Sequence, residues 1–209
     1  MCREASFVLT KTKTCWSKRT DSHEWIIVDH KLHADGSRGP NIVRVEITPP
    51  NEDFCLPLDQ WVYRLDQDEL PSWYDAAACE ARVREVLPEW LASKVVLLGQ
   101  SRDVRDEIVV AAYGNVTANG DSVVTAYGNS RVTANGSGVV TAYGNSRVTA
   151  YDDSRVTAND NSVVTAYDDS VVTANGNSRV TAYDDSVVTA NGNSRVTAYD
   201  DSVVIRIWQ

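Results

Sequence analysis

From Val116 to Val204 a valine returns every eight residues, twelve times in all. Around it the unit reads Ser-x-Val-Thr-Ala, then Tyr or Asn, then two turn residues. Alternation along a five-residue strand sets Ser, Val and Ala on one face and x and Thr on the other. Asn-Gly, Gly-Asn and Asp-Asp at the corners are residues suited to tight turns. The pattern therefore predicts a strand in every octad, with valine and small residues facing a narrow core.

Two folds use such octads: a meander, in which each octad lies beside the next, and a solenoid, in which each stacks on the octad sixteen residues away. The residue at the third position after each valine separates them. From Val148 one sixteen-residue series reads Tyr151, Tyr167, Tyr183 and Tyr199, and the interleaved series reads Asn159, Asn175 and Asn191. Like residues in columns are what stacked coils favour. Tyr143 and Tyr151 belong to consecutive octads, so the tyrosine column changes corner there. The expected architecture is mainly β: a two-sided β-solenoid of sixteen-residue coils, two octads per coil, over 107–209, giving about six coils. A small α+β domain over 1–106 is expected to cap one end. The tail from Val203 to Trp208 leaves the repeat and is read as the other cap or as an end-to-end contact.

The first region is patterned differently. Ser6–Thr10 reads as a strand. Asp21 and Glu24 fit a capping box that starts a helix running to about Leu32. Residues 34–40 read as a loop. Asn41–Thr48 alternates as a strand and is stopped by Pro49-Pro50. Asp75 caps a second helix to about Lys94, with Ala76, Cys79, Val83, Val86, Leu87 and Trp90 at helical spacing. Pro88 is expected to break or kink it.

Composition changes sharply near residue 108. All histidine, lysine, proline and cysteine lie before it. Residues 1–108 carry 14 Lys+Arg against 19 Asp+Glu, and the remainder 6 Arg against 10 Asp. Both regions are acidic, which disfavours binding to nucleic-acid phosphates and favours solubility. Cys2, Cys15, Cys55 and Cys79 form no CxxC pair, and free thiols in a reducing compartment are the simplest reading. With no signal peptide and no membrane span, a cytoplasmic protein is expected, or a virion-associated one if phage-encoded.

Two outward faces follow from the repeat. The basic face carries Arg131, Arg147, Arg179 and Arg195, interrupted by Val163, beside a column of threonines. The other face is the candidate interaction face: Val123, Thr125, Val139, Thr141, Val171, Thr173, Val187 and Thr189, interrupted by Arg155. Arrays of exposed β-branched residues mark contacts. The column Tyr151, Tyr167, Tyr183 and Tyr199 reads as a stacking ladder or a self-association seam. An acidic corner holds Asp152, Asp153, Asp168, Asp169, Asp184, Asp185, Asp200 and Asp201. Neighbouring rungs about 4.8 Å apart repel by roughly 1 kcal/mol in water. A row of divalent cations would relieve that; a solvated row is the plainer reading.

Catalytic patterns are not found. GxSxG, P-loop and GxGxxG motifs are missing, and the repeat contains no histidine to complete a hydrolytic triad. His23, His30 and His33 fall on or just after the first helix with Glu24 and Asp29 nearby, a metal site in the sharper reading and solvated surface histidines in the plainer one. Asp66, Asp68 and Glu69 beside Trp73 and Tyr74 read as a solvated loop. No catalytic, cofactor-binding or metal-binding residue is assigned, and no cofactor is expected.

Two resemblances bear on the chain. Ser22-His23-Glu24-Trp25-Ile26-Ile27, Val45-Glu46-Ile47-Thr48-Pro49-Pro50 and Leu70-Pro71-Ser72-Trp73-Tyr74-Asp75 resemble segments of uncharacterised proteins of tailed phages and bacteria. Those proteins join such a first domain, matched here over about residues 1–100, to short repeats, and they imply no known activity. The stretch from Thr165-Ala166-Tyr167 to Ser178-Arg179-Val180 is similar to the sixteen-residue bacterial ice-nucleation repeat. That resemblance implies a β-solenoid with one tyrosine per coil and, in the family, outward Thr-x-Thr that organises water. This chain carries Arg-Val-Thr or Val-Val-Thr in its place. The leading expectation is a non-catalytic structural or interaction module binding itself or another protein. The alternatives are an ice- or water-surface-binding protein, an acidic mimic of duplex DNA, and an enzyme in the first domain.

Overall fold

The structure, a computed structural model, describes residues 5–33, 35–36 and 39–207, with side chains of 35, 36 and 39 left aside. Contacts divide the chain into two units, Met1–Lys94 and Val95–Gln209.

The first unit is built on an antiparallel four-stranded sheet in the order Thr14–Cys15, Ser6–Leu9, Val43–Thr48, Val62–Leu65. Val43, Val45 and Ile47 face inward and alternate with half-buried Arg44, Glu46 and Thr48, as the sequence alternation requires. Helix α2 spans Ala76–Lys94 and buries Cys79, Val83, Leu87, Trp90 and Lys94, a single stripe at three- and four-residue steps. The Asp75 carboxylate accepts the Ala78 N–H at 2.8 Å and caps its start. The helix runs through Pro88 without breaking. Pro88 is exposed, so water can satisfy the carbonyl that its missing N–H leaves. Trp90 closes the core, its ring 6.4 Å from Phe7 and 6.2 Å from Trp61.

Helix α1 departs from expectation. It spans only His23–Asp29, and Ser22, not Asp21, precedes it, with no side-chain cap. Asp21 lies 3.6 Å from the buried Lys94 ammonium, and Ser22 Oγ donates to Glu24 at 3.1 Å, so both members of the proposed capping box are engaged elsewhere. Lys31 takes φ 52°, which ends any continuation toward Leu32. Within the expected loop, Asp35–Gly36 and Gly39–Pro40 pair antiparallel; residues 34, 37 and 38 lie outside the described residues, as does Cys2.

The second unit is a two-sided β-solenoid. Alternate strands fall into two parallel sheets, one of seven strands from Ser101–Arg105 to Arg195–Ala198, one of eight from Val95–Val96 to Val203–Ile207. Pairing is in register at sixteen residues: Val148 stands on Val132 and under Val164, and Val156 on Val140 and under Val172. The core holds the predicted inward residues, Val and Ala of successive octads at 0–3% exposure from Val116 to Val188. Ser130, Ser146, Ser162, Ser170, Ser178 and Ser186 are buried with them.

The solenoid begins at Val95, not at 107. Ser101–Arg105 pairs with Asn115–Asn119, and Ile108–Ala112 with Val123–Tyr127, although neither segment carries the octad. Val104, Val109 and Ala111 fill the inward positions. A coil needs small apolar residues pointing in, and the full motif is only one way to supply them. Gly114 marks this first coil: a Cβ there would fall 2.5 Å from the Val96 carbonyl oxygen. The tail continues the eight-stranded sheet as strand Val203–Ile207, in register with Val187–Asn191. Ile205 stands in the threonine column and Arg206 in the alanine column; Trp208 lies outside the described residues.

Candidate functional site

The candidate surfaces are columns, and each column is made by register. On the eight-stranded sheet Val123, Val139, Arg155, Val171, Val187 and Val203 stand one above another, beside Thr125, Thr141, Thr157, Thr173 and Thr189. Parallel pairing without slippage follows from the two-residue period, since a one-residue shift would turn every valine of the core outward. Val139 is 37% and Val171 42% exposed, and Thr141 and Thr173 are half-buried between them. The result is an even, β-branched surface in which Arg155 is the single charge between Val123 and Val187 on those two columns.

On the seven-stranded sheet Arg131, Arg147, Val163, Arg179 and Arg195 form the corresponding column, all exposed. A groove of about 760 Å³ is lined by Asn145, Asn161, Val163, Asn177, Arg179 and Arg195, among others. A neighbouring one of about 500 Å³ is lined by Asn129, Arg131, Asn145, Arg147, Asn161 and Val163. The asparagines are the second turn residue of the corner that feeds each arginine strand. Sequence reasoning passed over them; their sixteen-residue recurrence was the available signal.

The tyrosine column stacks. Tyr151, Tyr167, Tyr183 and Tyr199 lie with ring centroids 5.0–5.1 Å apart and planes within 10° of parallel. On the opposite corner Tyr127 and Tyr143 stack at 5.4 Å. The rest of each corner is an asparagine ladder: Asn135 Nδ2 donates to Asn119 Oδ1 at 3.1 Å, and Asn175 and Asn191 continue the other ladder at 3.1 and 2.9 Å. At the coil of Tyr143 and Tyr151 the two ladder types exchange corners.

The acidic corner is more than a row of solvated carboxylates. The first aspartate of each pair occupies a turn position with φ 55°, seen at Asp152, Asp168, Asp184 and Asp200, and filled elsewhere by glycine such as Gly144 at φ 66°. Aspartate tolerates that left-handed conformation better than most residues. Its carboxylate reaches one rung back: Asp152 accepts the Gly136 N–H at 2.9 Å, Asp168 the Asp152 N–H at 3.2 Å, and Asp184 the Asp168 N–H at 3.3 Å. These bonds offset repulsion between rungs. Asp153, Asp169, Asp185 and Asp201 are left to face solvent. Among the described residues no group of three His, Cys, Asp or Glu is placed to hold a metal ion.

The repeat serines point into the core. Ser130, Ser162 and Ser186 Oγ donate to the carbonyls of Tyr127, Asn159 and Tyr183 at 2.6–2.7 Å, and so tie each corner shut. In the first unit the histidines do not converge. His23 is buried at 1% exposure, a correction to its reading as a surface residue. Its Nε2 lies 3.1 Å from the Val45 carbonyl and its Nδ1 2.9 Å from Asp66, which stays exposed in its loop. The exposed His30 bonds the Trp16 carbonyl through Nε2 at 2.9 Å. Cys15 and Cys79 are buried free thiols and Cys55 an exposed one.

No helix of the described residues is long and apolar enough to cross a membrane. The fold and its columns define the second unit as a two-sided parallel β-solenoid. Compared with protein-family models, curated proteins and solved structures, the chain gives no match.

Proposed function

We propose that the chain is a non-catalytic structural module that self-associates through the valine–threonine face of its eight-stranded sheet. The observation that carries the reading is the in-register column of Val123, Val139, Val171 and Val187 beside an unbroken threonine column. Such a surface is even and apolar enough to lie against another like it, and removing it from water is favourable in proportion to the area covered. The non-catalytic part of the reading is supported by the repeat serines, which are buried and spent on carbonyls. Light scattering on the wild type and on Val139→Lys/Val171→Lys/Val187→Lys tests it. The wild type is expected to form assemblies that the variant does not; a wild type that stays monomeric ends the reading.

A second reading rests on one observation, the threonine columns that run in register on both sheets. Evenly spaced hydroxyls of this kind can order water, and a surface-water role predicts thermal hysteresis. Its absence, together with failure to label any ice plane, removes this alternative.

A further inference from the structure

The seven-stranded sheet carries opposite charge along its two edges. Its strands begin at Arg131, Arg147, Arg179 and Arg195, and the corners that follow the strands of Arg147, Val163, Arg179 and Arg195 present Asp153, Asp169, Asp185 and Asp201. A four-residue strand, about 13 Å, separates the columns. None of these four guanidinium groups forms an ion pair or hydrogen bond with another described residue. The outer aspartates are exposed and their carboxylates bond no described residue, unlike Asp152, Asp168 and Asp184, which hold amides of the rung before.

Both columns climb by one rung per coil, because one ladder carries both. A second copy set alongside, parallel and at the same height, therefore meets arginine with aspartate at three rungs. We infer that the arginine edge of one copy lies against the outer aspartate edge of a second copy, with both seven-stranded sheets facing the same way. At equal height Arg147, Arg179 and Arg195 oppose Asp153, Asp185 and Asp201 of the second copy, Val163 leaves Asp169 without a cation, and Arg131 stands opposite Ser137. Asn145, Asn161 and Asn177 line the groove beside the arginines and supply neutral donors to the incoming carboxylates. Duplex DNA, with a charge about every 1.7 Å of axis, does not match a rung of about 4.8 Å. The chain's own aspartates do.

The two edges differ, so the contact does not close on itself. Each added copy leaves an arginine edge free on one side and an aspartate edge on the other, and side-by-side rows grow without a fixed number of copies. The inference rests on the self-association proposed above and names a second seam, distinct from the valine–threonine face.

Charge exchange tests it. One variant is Arg131→Glu/Arg147→Glu/Arg179→Glu/Arg195→Glu; the other is Asp153→Lys/Asp169→Lys/Asp185→Lys/Asp201→Lys. Both replace outward side chains and spare the aspartates at positive φ, and circular dichroism checks that each still folds. In light scattering at about 0.1 M salt, the wild-type mass is expected to rise with concentration past a dimer. Each variant alone should lose about tenfold or more in association constant, and an equal mixture of the two should recover it. Variants that associate like the wild type, or a mixture no better than its parts, overturn the edge contact. If those variants behave as wild type while the Val139→Lys/Val171→Lys/Val187→Lys variant falls apart, self-association stands and this seam falls. A wild type that is monomeric throughout removes both. Saturable binding of duplex DNA, lost in the arginine variant and with no recovery on mixing, assigns the column to nucleic acid and overturns the inference as well.

Discussion

The two units reach stability by opposite means. In the first unit each core residue is individual: Trp90 touches Phe7 and Trp61, Lys94 is buried against the Lys18 carbonyl and Asp21, and His23 links Val45 to Asp66. In the solenoid one short list of contacts is repeated at every coil. A unit built from unlike parts concentrates its energy in a few large side chains. A repeat array spreads it over identical interfaces, so loss at one rung is met by neighbours of the same kind. The difference also divides the surfaces. Repetition turns one exposed side chain into a column, and only the solenoid can present long rows of valine, threonine, arginine or aspartate.

The contrast is broken most strongly at Trp90. Trp90→Ala should cost the first unit about 3–5 kcal/mol. Tryptophan fluorescence, which reports mainly on residues before Val95, should then show early denaturant unfolding while the solenoid's β signal persists. Simultaneous loss of both signals would mean that the units are not energetically separate. Next comes the middle of the array. Val156→Ala, between Val140 and Val172, should cost about 2 kcal/mol, and Val196→Ala, already half-buried, less. Equal losses at the two sites would contradict a nearest-neighbour array.

Smaller effects sharpen the picture at the corners. Asp168→Ala places an ordinary side chain at φ 55° and drops the bond to the Asp152 N–H, a loss of about 1–2 kcal/mol, whereas Asp168→Gly should be closer to neutral. Thermal midpoints of the two variants settle the comparison, and reversal of their order would show that the carboxylate outweighs the backbone. The smallest expected effect is at Glu24. Its own backbone N–H chiefly holds its carboxyl below the usual range, with Ser22 and Arg44 adding to this against slight burial. A carboxyl lowered on folding adds stability above the ordinary carboxylate range and loses it as pH falls through the folded value. Glu24→Gln should therefore flatten the acid limb of the stability curve slightly, by less than about 0.5 kcal/mol for so exposed a group. A large change would point to a role beyond the Arg44 pair.

Legibility in the sequence followed the same division. Strand direction, inward and outward sides, sixteen-residue register and the tyrosine column could all be read from spacing in the solenoid. The asparagine column in the arginine groove carries the same spacing signal, whereas the amide bonds of Asp152, Asp168 and Asp184 could not be read, because spacing locates a side chain without saying what it bonds. In the first unit helix α2 and strand Val43–Thr48 were legible from period and caps. The shortness of α1 was not, since Asp21 is drawn to Lys94, more than seventy positions away in sequence.

By itself the sequence determined the winding of residues 116–204, because in a repeat array every long-range contact is the same contact and sixteen-residue recurrence names it. Tertiary structure alone decided three other things. It extended the solenoid back to Val95, where packing asks only for small apolar residues pointing inward. It buried His23 against a carbonyl and a carboxylate from distant segments. It divided the acidic corner into carboxylates that hold amides of the rung before and carboxylates left to solvent, because which groups bond is settled only when coils stack.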